Sequence, residues 1–193
     1  MRSFTLDTNC IIAVDERRPE AAAVRALAEA HADRTADVAV VAISASERQV
    51  GGRYIANFVE FRERMAALEI AHLGMIPPLA YWDITFWDYS VWSAPPMLEL
   101  EQRIHEALFP NVEFVWQSYC LANDINPESS PAGKWRNCKC DVLALWCHIH
   151  GNRDVFVTSD QNFHAASKKP TLINLGARRI EYPNDAAALL PGI

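Results

Sequence analysis

The stretch FTLDTNCIIAV, residues Phe4 to Val14, joins two periodicities at a single aspartate. Ser3 to Leu6 is a short apolar and β-branched run suited to a strand. Asp7, Thr8 and Asn9 are residue types that cap a helix, here one running through Ile11 and Ile12. A strand that passes straight into a helix opens a parallel α/β arrangement, and it leaves Asp7 at the strand's carboxyl end.

The same alternation continues outward. Pro19 stands where a second helix begins, with Val24, Leu27, Ala28 and His31 on one face. Asp37 to Ile43 (DVAVVAI) is a nearly continuous apolar run, as expected of a strand covered on both faces. Ser44 starts the next helix, which Gly51-Gly52 weakens and the stripe Ile55, Phe58, Val59, Met65 and Leu68 restores. Near the other end, Asp141 opens a helix striped by Val142, Leu145, Trp146 and Ile149 and closed by Gly151. Arg153 to Thr158 is a strand ending at Ser159-Asp160. A last strand near Arg178 to Tyr182 precedes Pro183 and a short helix through Leu190. Strands alternating with helices predict an α/β domain with a mainly parallel sheet.

Gly74 to Trp135 differs in character. Prolines divide it, and it holds five of the six tryptophans. It reads as a helical, aromatic-rich insertion (74–135) within one domain spanning 1–193, with helices over Met97–Phe109 and Val112–Leu121 and a loop over Asn126–Arg136. Its tract YWDITFWDYSVW is expected to pack inward, because aromatics at this density bury themselves.

The chain has 193 residues, half of them apolar, enough for a sizeable core. Its N-terminus carries no long apolar segment and no later run reaches bilayer-spanning length, which predicts a soluble, cytoplasmic protein with no membrane partner. Five cysteines without a secretory signal read as reduced thiols. A net charge of −6 excludes coating of nucleic acid by bulk positive charge, though not a local grip on a few phosphates. The basic groups that would provide that grip are Lys134, Arg136 and Lys139, together with Lys168 and Lys169.

Four acids fall at element boundaries. Asp7 and Asp160 end strands, Glu47 follows the second strand by four residues, and Asp141 begins a helix. Ligands of parallel sheets sit beyond the carboxyl ends of the strands. Carboxylates gathered there repel one another unless a cation lies among them, and hard divalent cations such as Mg²⁺ or Mn²⁺ prefer oxygen donors. Each acid also has a structural role open to it: Asp7 as a cap, Glu47 with Ser44 as a capping box, Asp141 at a helix N-terminus and Asp160 in a turn.

The Asp-Thr-Asn after an N-terminal strand, Ser-Ala-Ser-Glu after the second, Asp141 nineteen residues before Asp160, and Thr-Ser-Asp-Gln-Asn-Phe-His over Thr158 to His164 together resemble PIN-domain ribonucleases, including toxins of the VapC type. The resemblance covers roughly residues 1–70 and 137–190 and leaves the insertion unmatched. It implies a three-layer α/β/α sandwich and a metal-dependent endoribonuclease that leaves 5′-phosphate and 3′-hydroxyl ends. Asp7, Glu47, Asp141 and Asp160 would be the catalytic, metal-holding quartet, with Mg²⁺ or Mn²⁺ as cofactor. Thr8, Asn9, Ser159 and Asn162 would steady those ligands or orient water, and the lysines and arginine named above would hold RNA phosphates. The partners it implies are RNA, an antitoxin protein filling the acidic groove, and a second copy in a homodimer.

Three other functions compete. A catalytically silent PIN-like module would bind RNA or protein without cutting. A haloacid-dehalogenase-like phosphatase would need a second aspartate where this chain has Asn9. A zinc site at Cys138, Cys140, Cys147, His148 and His150 fails on spacing, since His148 and His150 face opposite sides of a helix.

Overall fold

The computed structural model describes residues 1–46 and 57–191. Its centre is a sheet of parallel strands: β1 (Arg2–Leu6), β2 (Ala36–Val41), β3 (Gly74–Ile76), β4 (Val155–Val157) and β5 (Arg179–Glu181), in the order β3-β2-β1-β4-β5. β1 is central, paired to β2 from Arg2↔Ala36 to Leu6↔Val40 and to β4 from Phe4↔Val155 to Leu6↔Val157. The chain leaves β1 toward β2 on one side and later returns to lay β4 on the other. The gap between β1 and β4 is therefore the point where strand order reverses, the place such sheets present to ligands.

Side-chain alternation along the strands builds two cores. Phe4, Leu6, Val38, Val40, Val155 and Val157 pack against α1 (Thr8–Asp15), α2 (Ala21–Ala32), α3 (Phe58–Ala67) and the C-terminal helix α9 (Pro183–Ala187). On the opposite face Val41, Phe156 and Ile180 pack with α4 (Pro95–Leu108), α5 (Trp116–Ala122) and α6 (Gly133–His150), and with Phe163 and Leu172 of the short helices α7 (Gln161–His164) and α8 (Lys169–Leu172). The result is a three-layer α/β/α arrangement. No helix among the described residues is long and apolar enough to cross a membrane.

Several expectations need adjusting. The helix expected to open at Asp141 starts eight residues earlier, at Gly133, so the loop expected through Arg136 ends sooner and Asp141 lies in mid-helix. Pro131 ahead of it and the positive φ of Gly133 mark the true start. Ser44 begins no α-helix within the described residues but sits in a 3₁₀ turn, Ala42–Ser46. In α3 the buried stripe is Phe58, Phe61 and Met65, and Val59, about 100° round from Phe58, is exposed; Ile55 lies outside the described residues. β3 occupies the first residues of the aromatic-rich segment and belongs to the main sheet. The rest of that segment supplies Ile84, Ile104, Leu108, Trp116 and Trp135 to the same core as α6. Its exposed face is the surprise: Trp82, Trp87 and Trp92 are 74%, 48% and 78% exposed, with ring centroids 5.4 and 5.3 Å apart along the row. The inward packing expected of these three does not occur, and the inward-facing side chains of the segment are Ile84, Ile104, Leu108, Trp116 and Trp135 instead.

Candidate functional site

Asp7 caps α1 with an extended backbone, its Oδ1 accepting from the Thr8 N–H at 2.7 Å. Oδ2 accepts from Asn9 Nδ2 at 2.9 Å and from Thr158 Oγ1 at 2.8 Å. Thr158 stands just past β4, so these bonds span the switch point. Asn9 completes the clasp: its Nδ2 also reaches Thr158 Oγ1 at 2.9 Å, and its Oδ1 accepts from the Ser159 N–H at 3.0 Å. Thr158 is held from outside as well, its carbonyl accepting from His164 Nε2 at 2.9 Å while the His164 ring stacks on Tyr182 at 3.6 Å.

Asp160 caps α7, its Oδ1 accepting from the Asn162 N–H at 2.8 Å, and its own N–H donates to Thr158 Oγ1 at 3.1 Å. One hydroxyl therefore bonds to Asp7 and to the backbone of Asp160, which brings the two acids to neighbouring positions. Burial pushes the Asp7 carboxyl up to about 6, the hydrogen bonds from Thr158 and Thr8 working against it and the Asp160 charge adding to it. Asp7 is only 3% exposed. Thr8 Oγ1 donates to Ser44 Oγ at 2.7 Å, tying the end of β1 to the turn after β2.

Asp141 sits seven residues before His148 on α6, so the two share a helix face about 10 Å apart along the axis. His148 is buried over β1: Nε2 donates to the Ala177 carbonyl at 3.0 Å, which leaves Nδ1 to accept from Thr5 Oγ1 at 2.9 Å. Burial lowers its pKa to about 4, keeping the ring neutral. Arg136, five residues N-terminal to Asp141, reaches the Ser46 carbonyl with Nη2 at 2.9 Å, so this end of α6 lies along the carboxyl edge of the sheet. Running back from there to Thr5, α6 carries Asp141 at the level where β1 ends. Asp141 is thus positioned by the interior of a helix and not by its N-terminus. Glu47 lies outside the described residues.

The carboxylate oxygens of Asp7 and Asp160 are donors of the type a hard cation takes. Asp7 accepts three bonds of the roughly four a carboxylate can take, and Asp160 Oδ2 accepts none among the described residues. The Ser46 hydroxyl, in the turn after β2, and the Ser159 hydroxyl, just past β4, are buried without a partner among those residues. Among the described residues, however, no group of three or more His, Cys, Asp or Glu side chains is close enough to share an ion.

The basic residues divide sharply. Lys139 is 1% exposed and bound to Glu101 at 2.6 Å, so it is unavailable to RNA, contrary to the sequence expectation. Lys168 is engaged by the Leu108 carbonyl at 2.6 Å and by Asn162 Oδ1, and Arg136 by the carbonyls of Ser46 and Asp83. Lys134 is exposed and Lys169 half-buried. The Cys/His run does not converge: both His148 nitrogens are occupied, Cys147 Sγ contacts the Pro77 carbonyl at 3.6 Å, and His150 stacks on Trp146 at 4.4 Å. Thr158, Ser44 and Thr5 are site residues that the sequence does not single out, although the TSDQNFH run contains the first of them.

No protein-family model matches the chain, and no curated protein matches it.

Proposed function

We propose that the chain is a Mg²⁺- or Mn²⁺-dependent endoribonuclease acting from the carboxyl edge of its sheet, as the resemblance to PIN-domain ribonucleases implies. One observation carries the proposal: two aspartates from strands on either side of the switch point are tied to one threonine hydroxyl, and burial drives the carboxyl of the more buried one up to about 6. A carboxylate so desolvated is poised to gain from a divalent cation. Asp7 and Asp160 would hold the metal, with Asp141 and Glu47 completing the acidic set. When bound there, the metal would supply Lewis-acid charge for the phosphodiester oxygens and activate the attacking water.

The chain's own residues do the positioning. Asn9 and Thr158 fix the direction of the Asp7 carboxylate with three hydrogen bonds spanning two strand ends. Asn162 N–H orients the Asp160 carboxylate so that one oxygen remains outward. Lys134, exposed at the start of α6, would hold a flanking phosphate.

Cleavage of labelled single-stranded RNA by the purified chain in Mn²⁺ tests this directly. The expected result is product that EDTA abolishes, with Asp7→Asn and Asp160→Asn each reducing the rate at least about 100-fold at unchanged secondary structure. Equal cleavage by wild type and Asp7→Asn overturns the assignment.

A further inference from the structure

Away from the acidic edge, the aromatic-rich segment encloses a cavity of about 400 Å³ between Trp82, Ile84, Phe114, Trp116 and Trp135, the size of a small-ligand pocket. Two features set its chemistry. Its rim carries the carboxylates Asp83 and Glu128, and among the described residues no Lys, Arg or His lines it. Its walls are ring faces whose polar handles are already committed, since Trp116 Nε1 donates to the Ser129 carbonyl at 2.9 Å and Trp135 Nε1 to the Glu113 carbonyl at 2.8 Å. The lining therefore combines aromatic rings with the uncharged polar residues Gln117 and Ser129 and the two carboxylates.

The same rings already hold a cation elsewhere. The Lys139 ammonium lies 4.6 Å from the Tyr81 ring centroid, 4.1 Å from Phe114 and 5.1 Å from Trp135, and all three rings also line the cavity. Glu101 neutralises that ammonium at 2.6 Å, with the Tyr81 hydroxyl donating to the same carboxylate, so little net positive charge remains to repel a second cation.

We propose that this cavity is a binding site for an organic cation, a substituted ammonium or a guanidinium, taken between the indoles of Trp82 and Trp116 with Glu128 and Asp83 at its mouth. Aromatic walls favour a weakly hydrated, diffuse charge over a metal ion, and carboxylates at the entrance favour positive over negative ligands. The site uses none of the acids of the proposed nuclease centre and stands or falls apart from it.

Tryptophan fluorescence of the full chain, titrated with benzyltrimethylammonium and in parallel with Nα-acetyl-argininamide, tests the proposal. The first probe represents a free small cation and the second a side chain offered by a partner. Saturable binding of either supports the site, and the tighter one identifies the source. 3,3-Dimethylbutanol, uncharged and similarly branched, should bind at least about tenfold more weakly, and Glu128→Gln and Trp82→Ala, both at exposed positions, should each weaken cation binding by about tenfold. Equal binding of the alcohol, unchanged affinity in both variants, or no saturation by either cation overturns it. So does competition by uridine monophosphate that strengthens in Glu128→Gln, which would mark the cavity as a base-stacking surface.

Discussion

At the scale of single residues, Asp7 has two roles that the sequence could not separate. As a cap it accepts one backbone bond; as a buried acid it accepts two more from side chains 2 and 151 residues away. Its burial has a sign that can be measured. A carboxyl raised from 3.8 to about 6 in the folded state contributes stability that is present below about pH 4 and lost as pH rises through 6. At pH 8 the ionised group costs about 3 kcal/mol relative to a solvated one. Thermal denaturation in EDTA should therefore show Asp7→Asn gaining on wild type between pH 5 and pH 8, and Mn²⁺ should raise the wild-type melting temperature at pH 8 more than that of the variant. Wild type more stable than Asp7→Asn at pH 8 in EDTA would contradict this. His148 works in the opposite direction: held at about 4, it favours unfolding as pH falls below its ordinary value, so its effect lies on the acid side of the same curve.

At the scale of elements, α6 organises the site-bearing side of the sheet. It carries Arg136 to the turn after β2, Lys139 to Glu101 of α4, and His148 to Thr5 of β1. The Lys139–Glu101 pair is the most exacting of these contacts, with both side chains almost fully buried and the Tyr81 hydroxyl completing the carboxylate. Removing one partner leaves the other buried and uncompensated, so Lys139→Met should lower unfolding free energy by about 3 kcal/mol or more in urea titration. Adding Glu101→Gln, which keeps the Tyr81 hydrogen bond and discards the charge, should recover at least half of that loss. A double variant as unstable as the single one would show that packing, not charge pairing, holds α4 to α6. The run around Lys139 looks like a basic surface group in sequence because Glu101 and the enclosing rings lie 25 or more residues away along the chain, apart from Trp135.

At the scale of the whole molecule, the alternation of strand and helix was legible because it is written in local periodicity. The runs around Phe4, Val38 and Phe156 became neighbouring strands in the middle of the sheet. β3, a GMI run (Gly74–Ile76) before Pro77-Pro78 with no apolar alternation, reads in sequence as part of the proline-divided segment that follows it. The aromatic segment shows the limit most clearly, since composition alone does not say which rings face inward. Tm measurements separate the two sets: Trp82→Ala, Trp87→Ala and Trp92→Ala should each cost less than about 1 kcal/mol, whereas Trp135→Ala or Trp146→Ala should cost about 3–5 kcal/mol. A large loss from Trp87→Ala would mean that the surface row supports the fold.

The sequence by itself determined the α/β class, the strand-to-helix junction at Asp7 and the position of Asp160 beyond a late strand, because capping chemistry and hydrophobic period act over a few residues. Only the tertiary structure decided that Thr158 bridges those two acids, that Asp141 lies inside a helix, that Lys139 is buried, and that three tryptophans face outward. Those outcomes depend on contacts between residues far apart in the chain, whose energies exist only after the sheet has formed and the helices have covered it.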